Sequence, residues 1–255
     1  MPSVDLLEFI KEYSIERVLC SFSGGRDSLV ACHLSWMALK GSGVPFEVVF
    51  VDTGVGLPVV RQYVEQVSEL IGWRLVVVAP KANFFEVASK WGMPTPRRRW
   101  CCRLLKLQPL LDYATSLGAS TVLFITGLRR LESKRRRRIK GYYYRHHQGV
   151  HIYYVDPIVD WSDKDVEEYI RKHGLPVNPV SKLIGFSGEC FCGVYTKLDH
   201  LVKVARNWPD FIERFKVLEE RWKEGKFKGK RYKVFYAEGV KLSVDELLEL
   251  ANREG

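Results

Sequence analysis

Apolar residues follow two rhythms along the chain. Short β-rich runs at 17–20, 46–51, 75–78 and 121–126 have the length and composition of buried strands. Between them, apolar residues recur at helical spacing over 4–13, 29–37, 58–71, 84–90 and 104–117. Ser162 caps a further helix that runs to His173, and the tail adds helical patterns at 197–206, 209–223 and 243–253. The last of these has Ser243 as cap and Glu246 three positions later, and a basic loop is expected at 225–230. Strands alternating with helices predict an α/β fold, doubly wound around a mainly parallel sheet with right-handed crossovers. We assign residues 1–196 to this domain and 197–255 to a helical, basic C-terminal extension. Ligands of such sheets lie at the carboxyl ends of the strands, where the turn after residue 20 and the turn Asp52-Thr53-Gly54 both fall.

The first turn carries the most chemistry. Ser21-Phe22-Ser23-Gly24-Gly25-Arg26-Asp27-Ser28 reads as strand, glycine turn, helix. Gly24 and Gly25 let backbone approach a ligand with no Cβ in the way. Unpaired amides at the start of the next helix favour a phosphate, and Ser21, Ser23 and Ser28 add hydroxyls. Asp27 would repel that phosphate unless it holds a magnesium ion that the phosphate also contacts. For a bare pair of glycines, a helix cap by Asp27 or Ser28 is the simpler account. The whole string favours the anion site.

Composition narrows the partners. Of 255 residues, 46% are hydrophobic, and Lys plus Arg number 40 against 30 Asp plus Glu. The surplus of +10 suits polyanions such as nucleic acid. The amino terminus has no basic stretch leading into an apolar one, and no run of 18 apolar residues occurs, so a cytoplasmic protein without membrane contact is expected. A homodimer is compatible with this composition. The most basic stretch, Arg135 to Arg138 with Lys140, Tyr142, Tyr143, Tyr144, Arg145, His146 and His147, fits either contacts to unpaired bases and phosphates or a loop that closes over the nucleotide. His146, His147 and His151 lack acidic or cysteine neighbours and read as surface or polynucleotide-contacting residues. Of six cysteines, Cys20 and Cys32 fall in a strand and an apolar helix, where a small buried hydrophobe is expected. Cys101-Cys102 and Cys190-Phe191-Cys192 are two clusters of soft donors suited to an iron-sulfur cluster or zinc.

These motifs resemble a known family. The loop is similar to the SGGxDS pyrophosphate loop of the ATP pyrophosphatase superfamily, whose members cleave ATP between the α and β phosphates and adenylate a substrate; Arg26 stands where the family usually has Lys. Asp52-Thr53-Gly54 resembles the DTG turn of the PAPS reductase (sulfonucleotide reductase) branch, although only Pro58 survives of the FPET that follows there. Gly127-Leu128-Arg129-Arg130-Leu131-Glu132-Ser133, with Arg135 beyond, resembles the GxRxxES segment, and Asp156 to Ser162 resembles PIxDWS. The resemblance implies an adenine nucleotide alpha hydrolase-like fold. It implies ATP and Mg2+ at Ser21, Ser23, Gly24, Gly25, Asp27 and Ser28, with Asp52, Thr53, Gly54, Gly127, Arg129, Glu132 and Arg135 also toward the nucleotide. Arg26, Asp27, Ser28 and Arg129 are the expected catalytic groups.

The cysteines resemble the tandem-Cys plus CxxC set that binds a 4Fe-4S cluster in many members of the family, but the second pair here is CxC. That departure predicts unequal roles for Cys190 and Cys192, with zinc as the alternative to the cluster. The intact loop, and a tail without the ECGxH segment that carries the reductase nucleophile, point to an ATP-cleaving, adenylating sulfurtransferase on the reductase scaffold. Its expected partners are ATP, a tRNA or DNA acceptor and a sulfur donor or thiol protein. Sulfonucleotide reduction to sulfite is the second reading, a nucleotide-binding iron-sulfur module without turnover the third, and FMN adenylyl transfer a fourth that leaves the cysteines without a role.

Overall fold

The computed structural model describes residues 4–194, 196–225 and 233–253, so nearly all of the expected basic loop at 225–230 lies outside the described residues. The chain forms two compact units. The first comprises residues 1–52, 58–78 and 109–178; the second comprises 53–57, 79–108 and 179–255.

The first unit is built on a six-stranded sheet of β1 (Arg17–Ser21), β2 (Phe46–Val51), β3 (Leu75–Val78), β4 (Thr121–Ile125), β5 (Tyr142–His147) and β6 (Val150–Val155), ordered β3-β2-β1-β4-β6-β5. All pairs are parallel except β5 with β6 at the edge. Helices α1 (Leu6–Glu12), α2 (Arg26–Leu39), α3 (Pro58–Ile71), α6 (Gln108–Ser116, all but its first residue) and α7 (Asp163–His173) complete the unit. The chain leaves β1 toward β2 on one side and reaches β4 and β6 on the other. The loops after β1 and β4 therefore flank the switch point where ligands of open α/β sheets bind. An unbroken buried run from Ser28 to His33 shows that α2 is enclosed on most of its surface, where the sequence suggested one apolar face.

Cys20 and Cys32 depart from expectation. Both are fully buried, and their sulfurs are joined in a disulfide between β1 and α2, with Cα atoms 5.6 Å apart. The two thiols lie on adjacent elements at a separation a bridge can span, so they do not pack as independent small hydrophobes. The hairpin β5–β6 was also unforeseen, because its first strand is the basic aromatic run. Gln148 and Gly149, both at positive φ, make its two-residue turn.

The second unit holds α4 (Phe84–Trp91), α5 (Trp100–Cys102), α8 (Pro179–Ile184), α9 (Leu198–Asn207), α10 (Pro209–Glu213), α11 (Lys216–Glu224), the ribbon β7 (Phe235–Ala237) with β8 (Val240–Leu242), and α12 (Val244–Arg253). Its core is a cluster of rings that includes Phe84, Trp100, Phe191, Phe211, Phe215 and Phe235. The helix expected over 209–223 breaks where Phe215 is buried in that cluster. Between α5 and α6 the segment Arg103–Leu107 is wound as a π-helix, a form that places an extra residue in the turn and is frequent beside functional sites. Ser243 and Glu246 form the expected reciprocal cap of α12.

Candidate active site

The turn between β1 and α2 is a tightly bonded cradle. Gly24 sits at φ +78°, and a Cβ there would come within 2.9 Å of Val60 Cγ1. Its carbonyl accepts a hydrogen bond from the buried Asn178 side-chain amide at 3.0 Å. Ser28 Oγ donates to the Gly25 carbonyl at 2.9 Å and accepts from the Ser23 amide at 3.2 Å, with Ser23 Oγ 3.1 Å away. The loop is thus shaped before any ligand arrives.

Two of its polar atoms are left over. Ser21 Oγ and Asp27 Oδ1 are buried and have no hydrogen-bond partner. A buried acceptor without a partner costs about 1–3 kcal/mol, so such atoms mark places where a ligand completes the set. A hard cation fits Asp27 Oδ1, because magnesium takes carboxylate oxygens together with phosphate oxygens. The other oxygen, Asp27 Oδ2, faces Arg129 Nε at 3.0 Å.

The loop after β4 closes on this cradle from the other side of the switch point. A Cβ at Gly127 would lie 2.7 Å from the carbonyl carbon and oxygen of Asp27 and from the Ser28 nitrogen, so only glycine allows the two backbones to approach this closely. Arg129 follows and is only 2% exposed. Its fork reaches Asp27, the Trp161 carbonyl at 3.1 Å and Asp163 Oδ1 at 2.8 Å. Burial by itself would disfavour the Arg129 charge, but Asp27 and then Asp163 more than offset this and hold it firmly protonated. Asp163, the first residue of α7, also receives Arg26, whose guanidinium turns to Asp163 and to Glu167 at 3.0 Å. The Arg129 hydrogen bond, ahead of the Arg26 charge, keeps the Asp163 carboxyl below the usual range.

The remaining expected residues of this segment divide. Glu132 pairs with Arg136. Arg136 lies in the fields of Asp27 and Asp156, whereas Arg135 is exposed. Asp52 ends β2 and pairs with Arg61 at 3.3 Å. Asp163, which directly follows the Asp156 to Ser162 segment, and Asn178 were not singled out from the sequence as site residues.

The thiols gather in the second unit. Cys101 and Cys102 have sulfurs 4.0 Å apart, and Cys192 contacts both Cys101 and Cys190. The segment that carries Cys190 and Cys192 is strapped to 53–57 by backbone. Leu57 N–H donates to the Gly188 carbonyl at 2.9 Å, and Phe191 N–H to the Val55 carbonyl at 2.7 Å. Thr53 Oγ1, buried, donates to the Glu189 carbonyl at 3.2 Å. A Cβ at Gly56 would meet that carbonyl oxygen at 2.5 Å. The Gly54 carbonyl accepts from Arg214 at 3.0 Å. Thr53 and Gly54, expected beside the nucleotide, bond to Glu189 and Arg214 within this second unit.

Lys106, from the π-helical turn, ion-pairs with Glu189 at 2.5 Å, and Ser187 Oγ donates to the other Glu189 oxygen. Burial would lower the Lys106 pKa, but Glu189 and then the Cys190 thiol keep it well raised. The hydrogen bond from Cys101, opposed by burial and helped by Lys106, brings Cys102 down to about 7, while Cys101 is pushed up to about 12. The donor chemistry suits an iron-sulfur cluster: four thiols, soft ligands, neighbour one another in pairs, with a cation beside them to balance the negative charge of a thiolate cluster. No three His, Cys, Asp or Glu side chains among the described residues are set around a point suited to one metal ion.

A six-stranded, mostly parallel sheet with a glycine loop at its switch point defines an adenine nucleotide alpha hydrolase-like fold. Residues 17–183 match the phosphoadenosine phosphosulfate reductase domain, and the chain belongs to that family of the ATP pyrophosphatase superfamily. It is similar to an uncharacterized protein of Methanocaldococcus jannaschii, 31% identical over 208 residues that make up 80% of this chain and 42% of that one. It is also similar to adenosine 5′-phosphosulfate reductase 2 of Bacillus subtilis, 27% identical over 70% of this chain and 72% of that one. The chain spans about half the length of the two Methanocaldococcus proteins it matches. Among solved structures, FMN adenylyltransferase of Candida glabrata in complex with FMN and an ATP analogue has the same fold, with TM-score 0.51 and 13% identity over 69% of this chain and 56% of that one. Among the described residues no helix is long and apolar enough to cross a membrane.

Proposed function

We propose that this protein cleaves ATP to AMP and pyrophosphate to adenylate an acceptor, and that a sulfur nucleophile then displaces the AMP. The observation that carries the reading is the finished loop with its unfilled atoms. Its serines and glycines are locked by internal hydrogen bonds, while Ser21 Oγ and Asp27 Oδ1 stay buried without a hydrogen bond, Oδ1 having only Arg26 Nε at 3.7 Å. A loop that only binds a sulfonucleotide, with no pyrophosphate to release, has no use for a cation-ready carboxylate there.

The chain's own groups divide the work. Loop amides and Ser23 and Ser28 hold the β and γ phosphates. Arg129 fixes the orientation of Asp27, so Oδ1 faces the ligand, and Asp163 holds Arg129 in turn. Arg26 can leave its exposed α7 carboxylates for the departing pyrophosphate. An acceptor oxygen attacks the α phosphorus, the bond to the bridging oxygen breaks, and pyrophosphate leaves with the electron pair. A hydrosulfide-level sulfur then attacks the activated carbon, and AMP departs with the former acceptor oxygen, so no net redox change occurs. Catalysis is positioning and charge neutralisation. Magnesium at Asp27 would neutralise the pyrophosphate. Cys101, Cys102, Cys190 and Cys192 would hold a 4Fe-4S cluster, which would supply a binding place for sulfide. The surplus of +10 favours a nucleic-acid acceptor, tRNA or DNA.

The deciding experiment is product analysis with α-labelled ATP on anaerobically purified protein, with and without bulk tRNA. AMP and pyrophosphate that depend on the acceptor, and that vanish in Asp27→Asn, are expected. A second reading, sulfonucleotide reduction with a thiol partner, is favoured by the similarity to adenosine 5′-phosphosulfate reductase. Sulfite released from adenylyl sulfate, with no AMP from ATP, would establish it and overturn the first.

A further inference from the structure

We propose that the outer edge of the six-stranded sheet binds single-stranded RNA. The inference rests on the nucleic-acid acceptor argued above and gives that acceptor a place on the protein. Strand β5 is the last in the sheet and pairs on one side with β6. Its alternation puts Tyr142, Tyr144 and His146 on one face, opposite Tyr153 and His151 of β6. Tyr142 is 55% exposed and Tyr144 is 51% exposed, unusual for large rings in a sheet.

Two of the β5 rings, Tyr144 and Tyr143, are held in place by their neighbours. Tyr144 stacks on His151 at 5.9 Å, hydrogen-bonds its Nδ1 at 2.7 Å, and lies 5.2 Å from Tyr153, which in turn packs on Tyr13 at 4.8 Å. On the opposite face Tyr143 lies parallel to Tyr154 at 4.2 Å, and Tyr154 to Phe124. The strand is thereby braced from behind. The two-residue repeat sets Tyr142 and Tyr144 about 7 Å apart, which leaves room for a base against each ring.

The charge around the rings selects the partner. From Ser133 to His151 the chain has no Asp or Glu, while Lys134, Arg135, Arg137, Arg138, Lys140 and Arg145 are all exposed. A polyanion with unpaired, stackable bases matches both features; a duplex keeps its bases inside, and an acidic peptide leaves the flat rings without partners. A second copy would set one basic edge against another. The Tyr144 hydroxyl and His151 imidazole place a donor and an acceptor at the ring edges, where a ribose 2′-hydroxyl can be read, which favours RNA over DNA.

The test is fluorescence anisotropy of a labelled, unstructured U-rich RNA on the full chain over a salt series. The double variant Tyr142→Ala/Tyr144→Ala should weaken binding about tenfold or more, and Tyr144→Trp should retain it. Arg137→Gln/Arg138→Gln should weaken binding and flatten the salt dependence by about 0.7 per lost phosphate contact. Duplex RNA and single-stranded DNA of the same sequence should compete poorly. If the wild type binds RNA and the tyrosine variant binds it equally, the surface is wrong and the acceptor reading survives. If the wild type binds no RNA yet forms AMP with a small acceptor, the nucleic-acid reading falls with the surface. Tighter binding of DNA would overturn the assignment to RNA, and a dimer that the tyrosine variant dissolves would make the edge a self-interface.

Discussion

In the first unit, Gly127 lets the end of β4 press on the backbone of Asp27 and Ser28; in the second, Gly56 lets residues 53–57 press on Glu189 beside Cys190. Each contact joins segments far apart in sequence, and each needs a residue without a Cβ. The two sites then diverge. The loop after β1 pairs its charges in a chain, Arg129 with Asp27 and Asp163, and leaves Ser21 Oγ and Asp27 Oδ1 without a hydrogen bond. The thiol site engages its groups with one another, sulfur against sulfur and Lys106 against Glu189. Backbone proximity thus builds both cradles. What each can bind depends on which side-chain atoms the cradle leaves over: hard oxygens in one, soft sulfurs in the other.

The largest expected effect comes from emptying the hard site. Asp27→Asn keeps an acceptor for Arg129 but removes the cation ligand, and AMP formation should fall about 10²–10³-fold or more. Thermal stability should change far less, because the Arg129 contact persists. Full activity in this variant would end the magnesium assignment. The glycines test the comparison itself. Gly127→Ala and Gly56→Ala should each cost about 1–3 kcal/mol by forced backbone shifts. ATP binding and AMP formation should be lost chiefly in Gly127→Ala, and iron and sulfide content chiefly in Gly56→Ala. Equal loss of both properties in both variants would mean that the two sites are not separately built.

Cysteine substitutions sharpen the soft site. Cys190→Ala and Cys192→Ala should differ in iron retention, since the CxC spacing brings the two sulfurs to the site along different paths. Identical total loss would show four ordinary ligands. Cys20 and Cys32 form the contrasting pair. Thiol titration of the denatured, unreduced protein should count four cysteines, and Cys32→Ala should lower stability by about 3 kcal/mol, the loop-closure contribution of a crosslink spanning 12 residues. Six reactive thiols would remove the bridge.

How far the sequence could be read follows the same physics. The loop is contiguous, so Ser21 to Ser28 announces itself, and strands β1, β2 and β4 show as short apolar runs because both faces are covered, while the edge strand β3, half-buried throughout, is apolar too. The hairpin β5–β6 was hidden because an exposed edge carries Tyr, Arg and His in place of the apolar alternation. The Gln148-Gly149 turn between two β-forming runs was the signal available. Asp163, Asn178, Lys106 and Glu189 act through tertiary neighbours 34 to 154 positions away, as in the pairs Arg129–Asp163, Lys106–Glu189 and Gly24–Asn178, and no local pattern encodes that. The bridge between Cys20 and Cys32 depends on how α2 lies on β1, a packing detail beyond periodicity.

A pH-dependent effect concerns Asp156, which follows β6. It is 3% exposed and accepts from Thr126, and burial, opposed by the Thr126 and Leu128 hydrogen bonds, raises its pKa to about 6. The unfolded value is about 3.9. A raised carboxyl favours its protonated form in the folded state, so its stabilising contribution is complete below about pH 4 and is lost as pH rises through 6. The loss amounts to about 2–3 kcal/mol. Carboxyls held low by ion pairs or hydrogen bonds, Asp163 and Asp165 among them, act with the opposite sign. The difference between wild type and Asp156→Asn isolates the one group. Denaturant melts from pH 4 to 7 should show Asp156→Asn gaining on the wild type as pH rises, since its amide stays neutral throughout. A difference that is flat across this range would mean that Asp156 is ionised at neutral pH with a cationic partner, most directly Arg136 or Arg130, and that the end of β6 is itself charged.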